Sequence, residues 1–131
     1  MAFGRVQGVT ITVSIVEDDA RVREELAKLT NGAKGFKGLG VYADGETALK
    51  DIPRHGPDVV LMDINLPGMS GIECVRSLKT SLPAVQIIML TVYEDTESVF
   101  NALAAGASGY LLKQATLEEL LEAIQQVRAG G

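Results

Sequence analysis

The chain has 131 residues, 47% hydrophobic and 22% charged, the balance of one domain built around a single core. Twelve Lys and Arg against seventeen Asp and Glu leave a net charge of -5 with the basic residues dispersed, which argues against direct nucleic-acid binding by this chain. No apolar run approaches the roughly 20 residues that cross a bilayer, the first residues carry no signal-like apolar stretch, and the single cysteine, Cys74, has no internal disulfide partner. No membrane association, a cytoplasmic location and a small buried thiol on a helix are therefore expected.

In chain order, residues 1–8 read as a flexible extension. Val9, Ile11, Val13 and Ile15 then alternate with Thr and Ser up to Val16, a strand that ends in Glu17-Asp18-Asp19. Val22, Leu26 and Leu29 recur on one helical face, with Asp19 as cap and Asn31-Gly32 as the stop. A weaker strand at residues 39–42 precedes Asp44, the cap of a short helix carrying Ala48, Leu49 and Ile52 and expected to end at Pro53. The run from Asp58 through Met62 is a strand apolar on both faces, ending at Asp63. Ser70 and Glu73 form a capping box ahead of Ile72, Val75 and Leu78. Residues 85–90 form another apolar strand ending at Thr91, and Val99, Phe100 and Leu103 supply the expected inward stripe of the next helix. Gly106 and Gly109 punctuate the return to Tyr110-Leu111-Leu112, which ends at Lys113, and Thr116 with Glu119 caps a last helix bearing Leu117, Leu120, Leu121, Ile124 and Val127.

Five strands alternating with five helices imply an α/β fold with right-handed crossovers and a parallel sheet covered on both faces. The period-two pattern of the first strand suits an antiparallel edge when taken alone, but the crossover topology overrides it. In such sheets functional groups gather beyond the carboxyl ends of the strands. Glu17 and Asp18, Asp63, Thr91 and Lys113 are each the first polar groups after a different strand, so they emerge on one edge. Any one of them alone means little, and Asp19 is read as a helix cap only. Together they converge.

Three crowded carboxylates repel one another unless a hard cation neutralises them, and Mg²⁺ suits an all-oxygen site with few protein ligands. Asp18 and Asp63 are the expected direct ligands, with Glu17 acting through water. A carboxylate can also attack a phosphoryl group to form an acyl phosphate. Lys113 then offers fixed positive charge and Thr91 a hydroxyl to the phosphoryl oxygens, so no histidine base is needed. The single histidine, His55, is placed in an exposed turn away from the strand ends.

The segments VEDD (16–19), LMDINLPGMSG (61–71), MLT (89–91) and GYLLK (109–113) resemble the receiver domains of two-component response regulators over residues 9–128, nearly the whole chain. The resemblance implies a doubly wound, flavodoxin-like five-stranded parallel sheet of order 2-1-3-4-5. It implies that Asp63 takes phosphate from a phosphohistidine on a sensor histidine kinase, that Asn65 adds its backbone carbonyl to Mg²⁺, and that Thr91 and Tyr110 form the switch that remodels the fourth helix, fifth strand and fifth helix. By residue type alone, Tyr110 beside two leucines could equally be a packing residue. The stretch VFNALAAGASGYLLK is similar to receivers of LuxR-type, or NarL/FixJ-type, transcription regulators, which dimerise on phosphorylation and bind DNA through a C-terminal helix-turn-helix domain. Residues 129–131 then read as the start of a linker to such a domain.

Two positions depart from the family pattern. Gln114 follows Lys113 where many receivers have a cis proline, and Tyr93 places bulk where the family tunes water access, which leads us to expect slow autodephosphorylation. A standalone receiver keeps the same site without the extra domain. A phosphohydrolase or nucleotide-binding enzyme is disfavoured, because neither G-x-x-x-x-G-K-[ST] nor G-x-G-x-x-G is present and Asn65 stands where an aspartyl-nucleophile hydrolase needs a second acid.

Overall fold

In a computed structural model of the chain, residues 10–92 and 96–129 are described. Val9 and Tyr93, both singled out from the sequence, lie outside them. Five strands, β1 (Ile11–Val16), β2 (Phe36–Tyr42), β3 (Val59–Asp63), β4 (Gln86–Thr91) and β5 (Gly109–Leu112), alternate with five helices, α1 (Ala20–Gly32), α2 (Gly45–His55), α3 (Gly71–Ser81), α4 (Thr96–Ala105) and α5 (Leu117–Arg128). The order β2-β1-β3-β4-β5 is the expected 2-1-3-4-5, and every neighbouring pair is parallel. No described helix is long and apolar enough to cross a membrane.

The sheet separates two apolar layers. Val16, Val60, Met62, Ile87 and Met89 face α2, α3 and α4 through Ile52, Cys74, Val75, Leu78 and Ala102. Val13, Ile15, Leu61, Ile88 and Leu90 face α1 and α5 through Leu26, Leu29, Leu120, Ile124 and Val127. All five residues of β3 are buried, which explains its unbroken apolar run. The alternation in β1 has another origin. Thr12 is occupied with Asp58, donating its N–H and hydroxyl to Oδ2 at 3.0 and 3.1 Å, while Ser14 is wholly buried in the sheet. Cys74 is buried as expected, and burial pushes its thiol up to about 12.

Several boundaries differ from expectation. β2 begins at Phe36 rather than Leu39, because β1 pairing carries it across Gly38 and Gly40 past a register shift. α2 runs through Pro53 to His55, so Pro53 is not its terminus. Proline late in a helix forfeits only one backbone bond, and the stop comes at Gly56, whose φ of 57° reverses the chain. His55 is correspondingly the last helical residue rather than a turn residue, although it is exposed, with Nε2 3.2 Å from Asp51. Two of the three residues expected to face the core from α4 point outward: Ala102 is the buried residue and Val99 is half-buried, whereas Phe100 is 68% and Leu103 44% exposed. Leu117, expected inward on α5, is also exposed, while Leu120, Ile124 and Val127 are buried.

Candidate functional site

The strand order reverses between β1 and β3, which opens a crevice at their carboxyl ends. Three consecutive acids leave β1 there and take different tasks. The Glu17 N–H donates to Tyr42 O at 2.9 Å, continuing the sheet one residue further, and its side chain is wholly buried. Glu17 Oε2 accepts the Asp19 N–H at 3.1 Å. Asp19 caps α1, its Oδ1 accepting from the N–H groups of Arg21 and Val22 at 2.9 and 3.3 Å. Asp18, between them, is exposed at the mouth of the crevice.

Asp63 is the last residue of β3 and is 3% exposed. Its Oδ1 accepts the Asn65 N–H at 3.1 Å and its Oδ2 accepts from Lys113 Nζ at 3.2 Å. Burial first, then the neighbouring Glu17 carboxylate, pushes the Asp63 carboxyl up to about 7, with Lys113 pulling the other way. Lys113 is aimed by the sheet: its N–H donates to Thr91 O at 2.8 Å, prolonging the β4–β5 pairing. Its ammonium also stands 2.8 Å from Glu17 Oε1. Burial alone lowers the pKa of that amine, but its bonds to Glu17 and Asp63 outweigh burial and raise it.

Glu17, Asp18 and Asp63 each present an oxygen within 4.8 Å of the others. Glu17 Oε1 is buried with only the Lys113 ion pair and no aligned hydrogen-bond donor. An all-oxygen cluster with one under-satisfied buried oxygen suits a small hard divalent cation. Asn65 meets the cluster through its N–H to Asp63, beside the carbonyl expected to face the ion.

Thr91 ends β4 and is buried, next to Leu112 in the β5 register. Tyr110 is 44% exposed on β5, so it is not a packed core residue here. No cis peptide bond occurs among the described residues, so Lys113 joins Gln114 in the trans form a non-proline residue prefers.

Two supporting residues were given no role in the sequence reading, although Gly71 closes the segment LMDINLPGMSG. A Cβ at Gly71 would lie 2.2 Å from Asp63 O and 2.9 Å from Ile64 Cα, so only glycine lets α3 start against the end of β3. Its N–H donates to Ile64 O at 2.9 Å. Glu46, at the start of α2, accepts the Met69 N–H at 3.0 Å and tethers the loop that follows Asp63. Both act on backbone atoms, which leave no side-chain signature to read.

Residues 13–125 match the family described as the response regulator receiver domain. The chain is 36% identical over 121 residues to the transcriptional regulatory protein DegU of Brevibacillus brevis, covering 92% of this chain and 51% of DegU. It is 38% identical over 120 residues to the response regulator GacA of Pseudomonas aeruginosa, covering 92% of this chain and 56% of GacA. The chain thus spans about half the length of the curated relatives it matches. Among solved structures, a LuxR-family two-component response regulator from Aurantimonas sp. SI85-9A1 superposes with a TM-score of 0.87 at 33% identity, over 92% of this chain and 86% of that one. By the family match, the relatives and the sheet order together, this chain belongs to the response regulator receiver domains.

Proposed function

We propose that Asp63 accepts a phosphoryl group from a phosphohistidine of a sensor histidine kinase and that this switches an output surface. The observation that carries the reading is the buried Asp63 carboxylate held 3.2 Å from Lys113 within the Glu17, Asp18 and Asp63 cluster. In the transfer, an Asp63 oxygen forms the new bond to phosphorus while the P–N bond breaks, its electron pair leaving with the imidazole nitrogen. Lys113 balances the charge that collects on the phosphoryl oxygens, and the Thr91 hydroxyl donates to one of them. Glu17, Asp18, Asp63 and the Asn65 carbonyl would hold Mg²⁺, which supplies further neutralisation of those oxygens.

The same residues assist phosphorylation and autodephosphorylation without turnover of an external substrate, so the domain is a phosphoacceptor rather than an enzyme. Tyr93 slows the loss of phosphate by restricting water. Engagement of the Thr91 hydroxyl by the phosphoryl group leaves room for the exposed Tyr110 ring to turn inward, which changes the face made by α4, β5 and α5. The already exposed Phe100 and Leu103 on α4 support that surface as the one read by a second copy on phosphorylation. Residues 9–128 form the receiver and residues 129–131 lead toward a C-terminal helix-turn-helix domain, the route by which DNA is bound in the cytoplasm.

The test is the intact mass of the chain after incubation with Mg²⁺ and acetyl phosphate, beside Asp63→Asn. One phosphoryl adduct that requires both Mg²⁺ and Asp63 supports the reading, and an adduct that persists in Asp63→Asn removes it.

A further inference from the structure

Arg23 sits in the first turns of α1, where its N–H donates to Asp19 O at 2.9 Å. Its side chain runs back over the helix start, as long side chains on helices do. There Nη1 donates to Glu17 O at 2.8 Å and reaches Asp18 O at 3.3 Å. Among the described residues neither carbonyl accepts a backbone N–H, so the guanidinium is what satisfies them. Arg23 is surrounded by acids in sequence yet has no carboxylate within the 4.0 Å of an ion pair among the described residues, whereas Lys113 has two. Charge neutralisation therefore falls to Lys113. Arg23 grips main chain.

We infer that Arg23 is a positioning residue for the cation site: it pins the backbone of residues 17 and 18 so that their carboxylates converge on Asp63. Three consecutive acids repel one another, and a bridge across two successive carbonyls prevents that turn from opening. Both contacts come from one nitrogen, Nη1, so a single cationic donor bridges the two carbonyls. The inference rests on the Mg²⁺ reading above.

The sign of the effect separates positioning from electrostatics. If Arg23 acted only as a charge, removing it would tighten the binding of a divalent cation. If it positions the ligands, removal weakens binding, by roughly tenfold for a residue one step removed from the ion. The experiment titrates MgCl₂ into the whole chain, following the amide NMR signals of Asp18 and Asn65, for the parent, Arg23→Gln, Arg23→Lys and Asp18→Asn. We expect a roughly tenfold weaker affinity in Arg23→Gln and partial recovery in Arg23→Lys. The maximal phosphorylation rate with acetyl phosphate at saturating Mg²⁺ stays near that of the parent in both, because Arg23 does not touch the phosphoryl group. A loss of that maximal rate would mean general damage and would overturn the inference, as would equal or tighter Mg²⁺ binding in Arg23→Gln. Should Arg23→Gln not fold, Arg23→Met takes its place, and equal or tighter Mg²⁺ binding there overturns the inference equally. Unchanged affinity in Asp18→Asn would instead remove the metal reading itself.

Discussion

Replacing Asp63 by asparagine should stabilise the metal-free domain at neutral and alkaline pH, a consequence of the same burial that readies the residue for chemistry. The carboxyl is raised from 3.8 to about 7, chiefly by burial and then by Glu17. Between those values the unfolded chain has released the proton while the folded chain keeps it, so the folded state binds more protons and stability falls as pH rises. The slope from one proton is at most about 1.4 kcal/mol per pH unit, and a shift of about three units integrates to a ceiling on the order of 4 kcal/mol. The substitution also forfeits the 3.2 Å Lys113 contact, which offsets part of the gain. A net stabilisation of about 1–3 kcal/mol at pH 8 remains. Urea unfolding in EDTA, from pH 4.5 to 8, measures it for both proteins, and the difference between the curves cancels groups they share. The gap should widen with pH across this window and shrink or reverse when Mg²⁺ is added. Parallel curves would show that Asp63 carries no such burden and would refute the reasoning.

Other perturbations test the scaffold. Gly71→Ala forces a methyl to within 2.2 Å of Asp63 O, so unfolding midpoints should fall by about 1–3 kcal/mol and Mg²⁺ affinity should fall with them. An unchanged midpoint would mean that α3 can retreat without cost. Asp58 binds the Thr12 N–H and hydroxyl and stands 3.4 Å from Arg128, tying β1 and β3 to the end of α5. Asp58→Ala should therefore lose about 2 kcal/mol in the same assay. Lys113→Met should bind Mg²⁺ more tightly, because a competing cation 2.8 Å from Glu17 is gone, yet phosphorylate on the order of a hundredfold more slowly with acetyl phosphate. Tyr93→Ala should shorten the half-life of the phosphorylated form, followed by intact mass, and an equal half-life would count against its role in excluding water.

Features with a local signature were legible in the sequence. The capping boxes Ser70 with Glu73 and Thr116 with Glu119 form as read, because each is complete within four residues. The apolar run of β3 announced a strand buried on both faces. Glu17, Asp18, Asp63 and Lys113 were found because strand ends are easy to locate and the parallel topology brings them together. Legibility failed where neighbours decide. In α4 the inward face carries Ala102 and leaves Phe100 outside, so hydrophobicity pointed to the wrong side of the helix. Helix α2 passes Pro53 because the left-handed Gly56 provides the actual stop. Arg23, Glu46 and Gly71 act on carbonyls, an N–H and a close backbone approach, none of which has a pattern in residue types.

The most direct measurement maps the phosphoryl group itself. After phosphorylation with acetyl phosphate and Mg²⁺, reduction with borohydride converts a phosphorylated aspartate to homoserine, which peptide mass spectrometry assigns to a position. Homoserine at residue 63, with Glu17 and Asp18 unmodified, is the predicted result. Reduction at either of those acids, or at neither them nor Asp63, would contradict the assignment of Asp63 as the phosphate-accepting residue.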